Sequence, residues 1–184
     1  FEALSRQILE AASTCRPHAI LLGGDLVVSA SELAHLGDLV TAVCSGAAVL
    51  AVGGNHDQRV GMDRVGREVE RAGGQWIHRR TAHLTRARRT IAISGPHAAA
   101  TPAGDVRVVC AHNPRGWKRF SAAGYDLVLA GHLHGCQIVA WEYRDCLVPG
   151  VLFYPHCVLR RHHDSTRLVV SRGVSDLLPI RWRC

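Results

Sequence analysis

Five side chains of metal-binding type stand just past apolar runs of the chain: Asp25, Asn55, His112, His132 and His134. The runs are residues 20–22, 49–52, 106–110 and 127–130, and small residues lead into each polar tip. In layered α/β sheets, ligands collect beyond the carboxyl ends of strands. If the runs are neighbouring strands, the five side chains share one crevice. Glycine before a tip lets the chain turn sharply and approach a ligand closely. Each residue alone also has a plainer role: Asp as a cap, Asn as a turn amide, His as a satisfied structural residue. His132 and His134 are two apart and share a face of an extended strand. The joint occurrence is what points to a cation.

Carboxylate, amide and imidazole together suit Mn, Fe or Zn better than a pure oxygen cage or a thiolate site. An Asp that bridges two ions holds them ~3.5–4 Å apart, and such a pair activates water and neutralises phosphate oxygens. His56 and Asp57 follow Asn55 directly in the stretch GGNHD, residues 53–57. An imidazole beside the metals, held by a carboxylate, can donate a proton to a leaving oxygen.

The elements that must position these groups read as follows. Residues 1–15 have helical apolar spacing, and Pro17 stops them. HAILLGGDLV is a buried strand. Ser31 is the expected N-cap of a helix running to Cys44 and closed by Gly46. AAVLAVGGNHD is a second buried strand, and residues 62–72 an amphipathic helix. Residues 76–93 alternate as two or three antiparallel strands. VRVVCAHNP is a strand, residues 114–122 a short helix, YDLVLAGHLHG a fourth strand and QIVAWEY a fifth. Residues 149–165 lack a period and read as a long loop, TRLVVSRG is a last strand, and LPIRW follows it. Strands alternating with helices imply a layered α/β fold.

At 184 residues, a single domain spanning 1–184 is the expectation. No stretch reaches the roughly 18 apolar residues of a membrane span, and the start does not read as a signal peptide. The net charge of +7 would suit nucleic acid, anionic lipid or a phosphorylated substrate. Arginine carries nearly all of it, and compositional bias explains it equally well. Aromatics are not interleaved among the arginines, so nucleic acid is not favoured. The seven cysteines include no CxxC pair. Cys15, Cys44 and Cys110 sit in apolar patterns and are expected to be buried, and a reducing compartment is the simpler expectation.

GGD at 23–25, GGNHD at 53–57, AHNP at 111–114 and GHLHG at 131–135 resemble the motifs of the calcineurin-like metallophosphoesterases. GHLHGCQI with LVVSRGVSDLLPIRW is similar to the bacterial YkuE-like subgroup of predicted phosphohydrolases. The resemblance implies a four-layer αββα sandwich of two mixed β-sheets flanked by helices, with the metals at one sheet edge. It implies two divalent ions bridged by Asp25. Asn55, His112 and His132 would complete the second ion's shell, and His134 would bind the first. His56 would act near the leaving group, oriented by Asp57, while a metal-bridging hydroxide attacks a phosphomonoester, phosphodiester or pyrophosphate.

The family's DxH motif, which lies on an earlier strand, does not occur before Asp25. The expectation is therefore an N-terminally truncated chain whose first ion keeps only Asp25 and His134. The alternatives are a single-metal or non-catalytic scaffold of the same fold, and a nucleic-acid processing nuclease. Cys136 replaces a Gly, a tolerated substitution rather than a soft ligand. His97, His156, His162 and His163 are expected to be loop histidines, and Arg172 could approach a phosphate. The implied partner is a phosphorylated small molecule or lipid-linked substrate, in the cytoplasm or peripherally at a bacterial membrane.

Overall fold

Four-residue apolar strands alternate with longer helices through the first half of the chain. The computed structural model describes residues 2–136, 138–174 and 182–183. Helix α1 (Glu2–Cys15) leads to β1 (Ala19–Leu22), α2 (Leu33–Cys44) and β2 (Ala48–Ala51). Then come α3 (Asn55–Val60), α4 (Met62–Arg71) and β3 (Gln75–Trp76). The chain continues through β4 (Thr81–Arg86), β5 (Arg89–Ser94), β6 (Val106–Ala111), α5 (Lys118–Ala122) and β7 (Leu127–Ala130). It ends with β8 (Ile138–Tyr143), β9 (Cys146–Pro149), α6 (Gly150–Phe153), β10 (Arg160–His163), β11 (Thr166–Val170) and β12 (Trp182–Arg183).

Leu33, Leu36, Val40 and Val43 recur on one face of α2, the spacing that buries a stripe. They pack with Val65 and Val69 of α4 and with Val49 and Ala51 of β2. Val40, Val65 and Val69 are fully buried, and each such side chain contributes about 1.5–3 kcal/mol relative to exposure. Strands β1, β2 and β3 form a parallel sheet beneath these helices. The other face of that sheet presents Leu50, which packs with Val52, Ile77, Ala82, Ile93, Val108 and Cys110.

The second sheet has the order β10-β11-β7-β6-β5-β4. Its centre is parallel and both edges are antiparallel, so it is mixed. Its outer face, with Val109, Val128, Leu168 and Val170, is covered by Trp117 and by Phe120 of α5. The layers run helix, sheet, sheet, helix, the expected αββα order. Ala111 of β6 pairs with Ala130 of β7, which aligns the ends of those strands. A small third sheet, β12-β8-β9, adds its own cluster of Val139, Leu147 and Cys157.

Several expectations are corrected. Ser31 does not cap α2: a 3₁₀ turn at Ala30–Glu32 precedes it, and the Ser31 hydroxyl meets Ser29 at 2.8 Å. β4 and β5 are antiparallel as expected, but β3 joins β2 in parallel, because the α4 crossover returns the chain in the same direction. The stretch 149–165 is not one loop, since it contains α6 and β10, whose pairing with β11 supplies the order that its sequence period lacks. Cys15 is exposed. Gln137 and residues 178–181, from the QIVAWEY and LPIRW segments, lie outside the described residues, as does Cys184. Among the described residues, no helix is long and apolar enough to cross a membrane.

Candidate metal centre

The site forms where β1, β2, β6 and β7 end. Gly131 N–H donates to the His112 carbonyl at 2.9 Å, tying the exits of β6 and β7 together. Asp25, His132 and His134 take positive φ values of 55°, 71° and 47°. A non-glycine residue in that region costs about 1–3 kcal/mol, and such conformations cluster at functional sites. The two histidines therefore do not share the face of an extended strand. The chain turns at Gly131, and His134 enters a 3₁₀ turn, His134–Cys136.

His112 stands at the centre. Its Nδ1 lies 2.9 Å from the Gly23 carbonyl, an acceptor that requires the proton on Nδ1. Nε2, on the other side of the ring, faces three polar atoms, of which the His132 nitrogen donates or accepts according to its tautomer. They are Asp25 Oδ2 at 3.2 Å, Asn55 Oδ1 at 3.1 Å and His132 Nδ1 at 3.0 Å. Ligand atoms of Asp25, His112 and His132 all lie within 4.8 Å of one another. One cation could accept a lone pair from each of these side chains. The donor set of carboxylate, amide and two imidazoles fits a first-row divalent ion.

Asp57 is fully buried, and its carboxylate faces backbone. Oδ1 accepts Leu26 N–H at 2.9 Å and Val27 N–H at 3.1 Å, while Oδ2 accepts Gly54 N–H at 2.8 Å. It thus caps α3 and holds the 26–27 segment against it, an arrangement related to a capping box. The expected Asp57–His56 pair is replaced by contacts to Asp25. His56 N–H donates to Asp25 Oδ1 at 2.9 Å, and His56 Nε2 lies 4.0 Å from Asp25 Oδ2. Gly54 lies against Asp25 so closely that a Cβ there would strike the carboxylate.

Burial acts against ionisation of Asp25, but the hydrogen bond from His112, the His56 N–H and both imidazoles outweigh it and lower its pKa. Burial likewise opposes charge on His112, yet the Asp25 carboxylate and the Gly23 carbonyl raise its pKa. Burial, then the neighbouring His112 charge, lower that of His132. For Asp57 burial dominates and raises the pKa, although three backbone N–H groups oppose it.

A cavity of about 440 Å³ opens beside the cluster, lined by Asp25, His112, His132 and His134 with apolar residues such as Leu22 and Leu129. His134 therefore faces the same space but is outside the group of three. Arg172 is turned to Glu142 at 2.9 Å, which occupies the guanidinium expected near phosphate. His162 and His163 lie in β10, and the His163 ring packs edge-on against Trp117. His156 is half-buried, with Nδ1 lacking a hydrogen-bond partner. Cys136 is disulfide-bonded to Cys157. That pairing removes Cys136 as a ligand and runs against the expected reducing compartment. His78, which the sequence reading passed over, contacts the GGNHD turn through its side chain.

No protein-family model matches the chain. It is 28% identical over 183 residues to phosphodiesterase YaeI of Escherichia coli (strain K12), covering 92% of this chain and 67% of that protein. Its fold is similar to that of TT1561 of Thermus thermophilus, with a TM-score of 0.60 and 13% identity over 94% of this chain and 84% of that one. A solved archaeal phosphodiesterase aligns with a TM-score of 0.49 and 12% identity, covering 91% of this chain and 74% of that one.

Proposed function

We propose that this chain is a metal-dependent phosphoesterase of the calcineurin-like family, acting on a phosphate-ester small molecule. One observation carries the reading: Asp25 Oδ2, Asn55 Oδ1 and His132 Nδ1 crowd the Nε2 of His112, while its Nδ1 on the opposite side of the ring meets the Gly23 carbonyl. The similarity to YaeI supports the reaction class. Asp25, Asn55, His112 and His132 would hold a divalent cation, and His134 with Asp25 would serve a second. Such ions supply Lewis acidity toward phosphate oxygens and activate water.

The chain's own groups do the rest. Gly23 holds the His112 ring in the tautomer that presents Nε2. The His56 N–H fixes the Asp25 carboxylate, and Asp57 fixes the helix that carries His56. The His56 imidazole, half-exposed beside Asp25, can pass a proton to the departing oxygen. A phosphodiester is the favoured substrate because the named relative is a phosphodiesterase.

The test is metal content and hydrolysis of bis-p-nitrophenyl phosphate and p-nitrophenyl phosphate after loading with Mn, Fe or Zn. Bound metal with turnover of the diester is expected. Protein that binds no divalent ion at the cluster, judged against Asp25→Asn, overturns the proposal.

A further inference from the structure

The ladder between β2 and β3 ends with Ile77 N–H on the Ala51 carbonyl at 2.9 Å. Two residues beyond Ala51, at the entrance to GGNHD, a side chain takes over. Gly53 N–H donates to His78 Nδ1 at 3.1 Å. Asp57 accepts the next N–H, that of Gly54. Both glycine amides before Asn55 are thus held by side chains. Gly53 is closely enclosed: a Cβ there would strike Met62 and approach Trp76 to 3.0 Å.

The His78 ring is itself held. It stacks on Trp76 with centroids 5.7 Å apart and planes at 19°, and His97 packs against it at 5.0 Å. The His78 carbonyl accepts His97 N–H at 3.3 Å, and the Arg80 carbonyl accepts Gly95 N–H at 3.0 Å, so the 95–98 loop clamps the 77–80 segment. An imidazole that accepts at Nδ1 must carry its proton on Nε2. Protonation would place an N–H at Nδ1 facing the Gly53 N–H, and the bond would be lost.

We propose that His78 is a positioning residue whose neutral ring latches the GGNHD turn and thereby sets Asn55 in the cation cluster, and that protonation of His78 opens the latch. This rests on the reading of the cluster as a cation site. Burial first, then the charges of His97 and Arg79, disfavour protonation of His78. Arg80 on the same segment is turned away to Glu70 of α4 at 3.3 Å. The latch is thus closed at neutral pH and opens in acid.

Mn²⁺ affinity of the whole chain, measured by titration calorimetry, tests this for wild type, His78→Asn and His78→Phe. Asn keeps an acceptor near the Nδ1 position without ionising, and Phe keeps only the ring. At about pH 8 the Phe variant should bind roughly five- to tenfold more weakly, as expected for one lost hydrogen bond, and the Asn variant within about twofold of wild type. Between about pH 8 and about pH 5, a range that reaches well below the ordinary imidazole pKa because that of His78 is lowered, wild type should lose more affinity than His78→Asn. Comparing the variants at each pH cancels titration of the cluster histidines. Equal affinity of wild type and a folded His78→Phe overturns the proposal, as does an unchanged ratio of wild type to His78→Asn between the two pH values. If His78→Phe does not fold, that ratio alone decides. Wild type that binds no Mn²⁺ at either pH overturns the cation reading itself.

Discussion

The carboxylate of Asp57 accepts the backbone N–H of Leu26, a residue 31 positions away in sequence, at 2.9 Å. Through this bond the first turn of α3 and the segment after Asp25 form one unit. The bond ties the segment after Asp25 to the helix that begins at Asn55, alongside the direct bond from His56 N–H to Asp25.

Replacing Asp57 by Ala would leave the N–H groups of Leu26, Val27 and Gly54 without their acceptor. The expected loss of unfolding free energy is about 2–4 kcal/mol, since each buried unsatisfied group costs about 1–3 kcal/mol and some relaxation offsets it. Urea melts of the two proteins check this. An unchanged midpoint with unchanged slope would show that the carboxylate is dispensable.

Stability of the cation-free protein should depend on the Asp25–His112 pair in a defined pH range. The Asp25 pKa is lowered from its ordinary 3.8, so its contribution is present above that value and lost as pH falls through the folded pKa. The His112 pKa is raised from 6.5, so its contribution is complete below 6.5 and disappears as pH rises through the folded pKa. The stability difference between wild type and His112→Ala, measured with chelator present, should therefore be larger between about pH 4 and 6 than at about pH 9. A difference that grows toward high pH contradicts the assignment.

Two substitutions should separate ligand from proton donor. On the proposed assignment, Asn55→Ala removes one of four ligand atoms and should weaken Mn²⁺ binding by about tenfold or more, the order expected when part of a metal's protein shell is disturbed. His56→Ala should retain metal and lose turnover by about 10²–10⁴, the usual contribution of a general acid. Calorimetry beside diesterase rates reads both. Turnover in His56→Ala equal to wild type would remove the proton-donor role.

The disulfide between Cys136 and Cys157 closes a loop with a sequence separation of 21, two residues after His134. A Cys136→Ser, Cys157→Ser double variant should be less stable by about 2–4 kcal/mol, the usual effect of removing such a cross-link. Thermal melts with and without reductant should show the same loss in the wild type and none in the variant. Indifference of the wild type to reductant would show that the bridge is absent in solution.

The sequence reveals most about groups placed by strands. Apolar runs ending at Asn55, His112 and His132 were recognisable because a buried strand leaves few polar positions, and the polar tip stands out. The short helix α3 was hidden, since Asn55–Val60 has no apolar period and forms around the Asp57 cap. The partners of Asp57 were hidden for the same reason: Leu26 and Val27 are distant in sequence, whereas His56 is adjacent. The Cys136–Cys157 pairing could not be read from seven cysteines with no telling spacing. His78 was invisible because a histidine at a strand end looks like any half-buried polar residue until Gly53 is placed beside it. The layered fold survived these errors because it depends on where apolar stripes lie, and caps do not alter them.

His112 directly follows β6 and His132 follows β7 after Gly131, with Ala111 opposite Ala130 and the two rings 4.8 Å apart. Backbone pairing itself enforces a repeat of about 4.7–4.9 Å between neighbouring strands. The Gly131 N–H on the His112 carbonyl carries that pairing one residue past the strands, up to the two imidazoles. A slip of register between β6 and β7 would therefore part the two rings, whatever the segments around them.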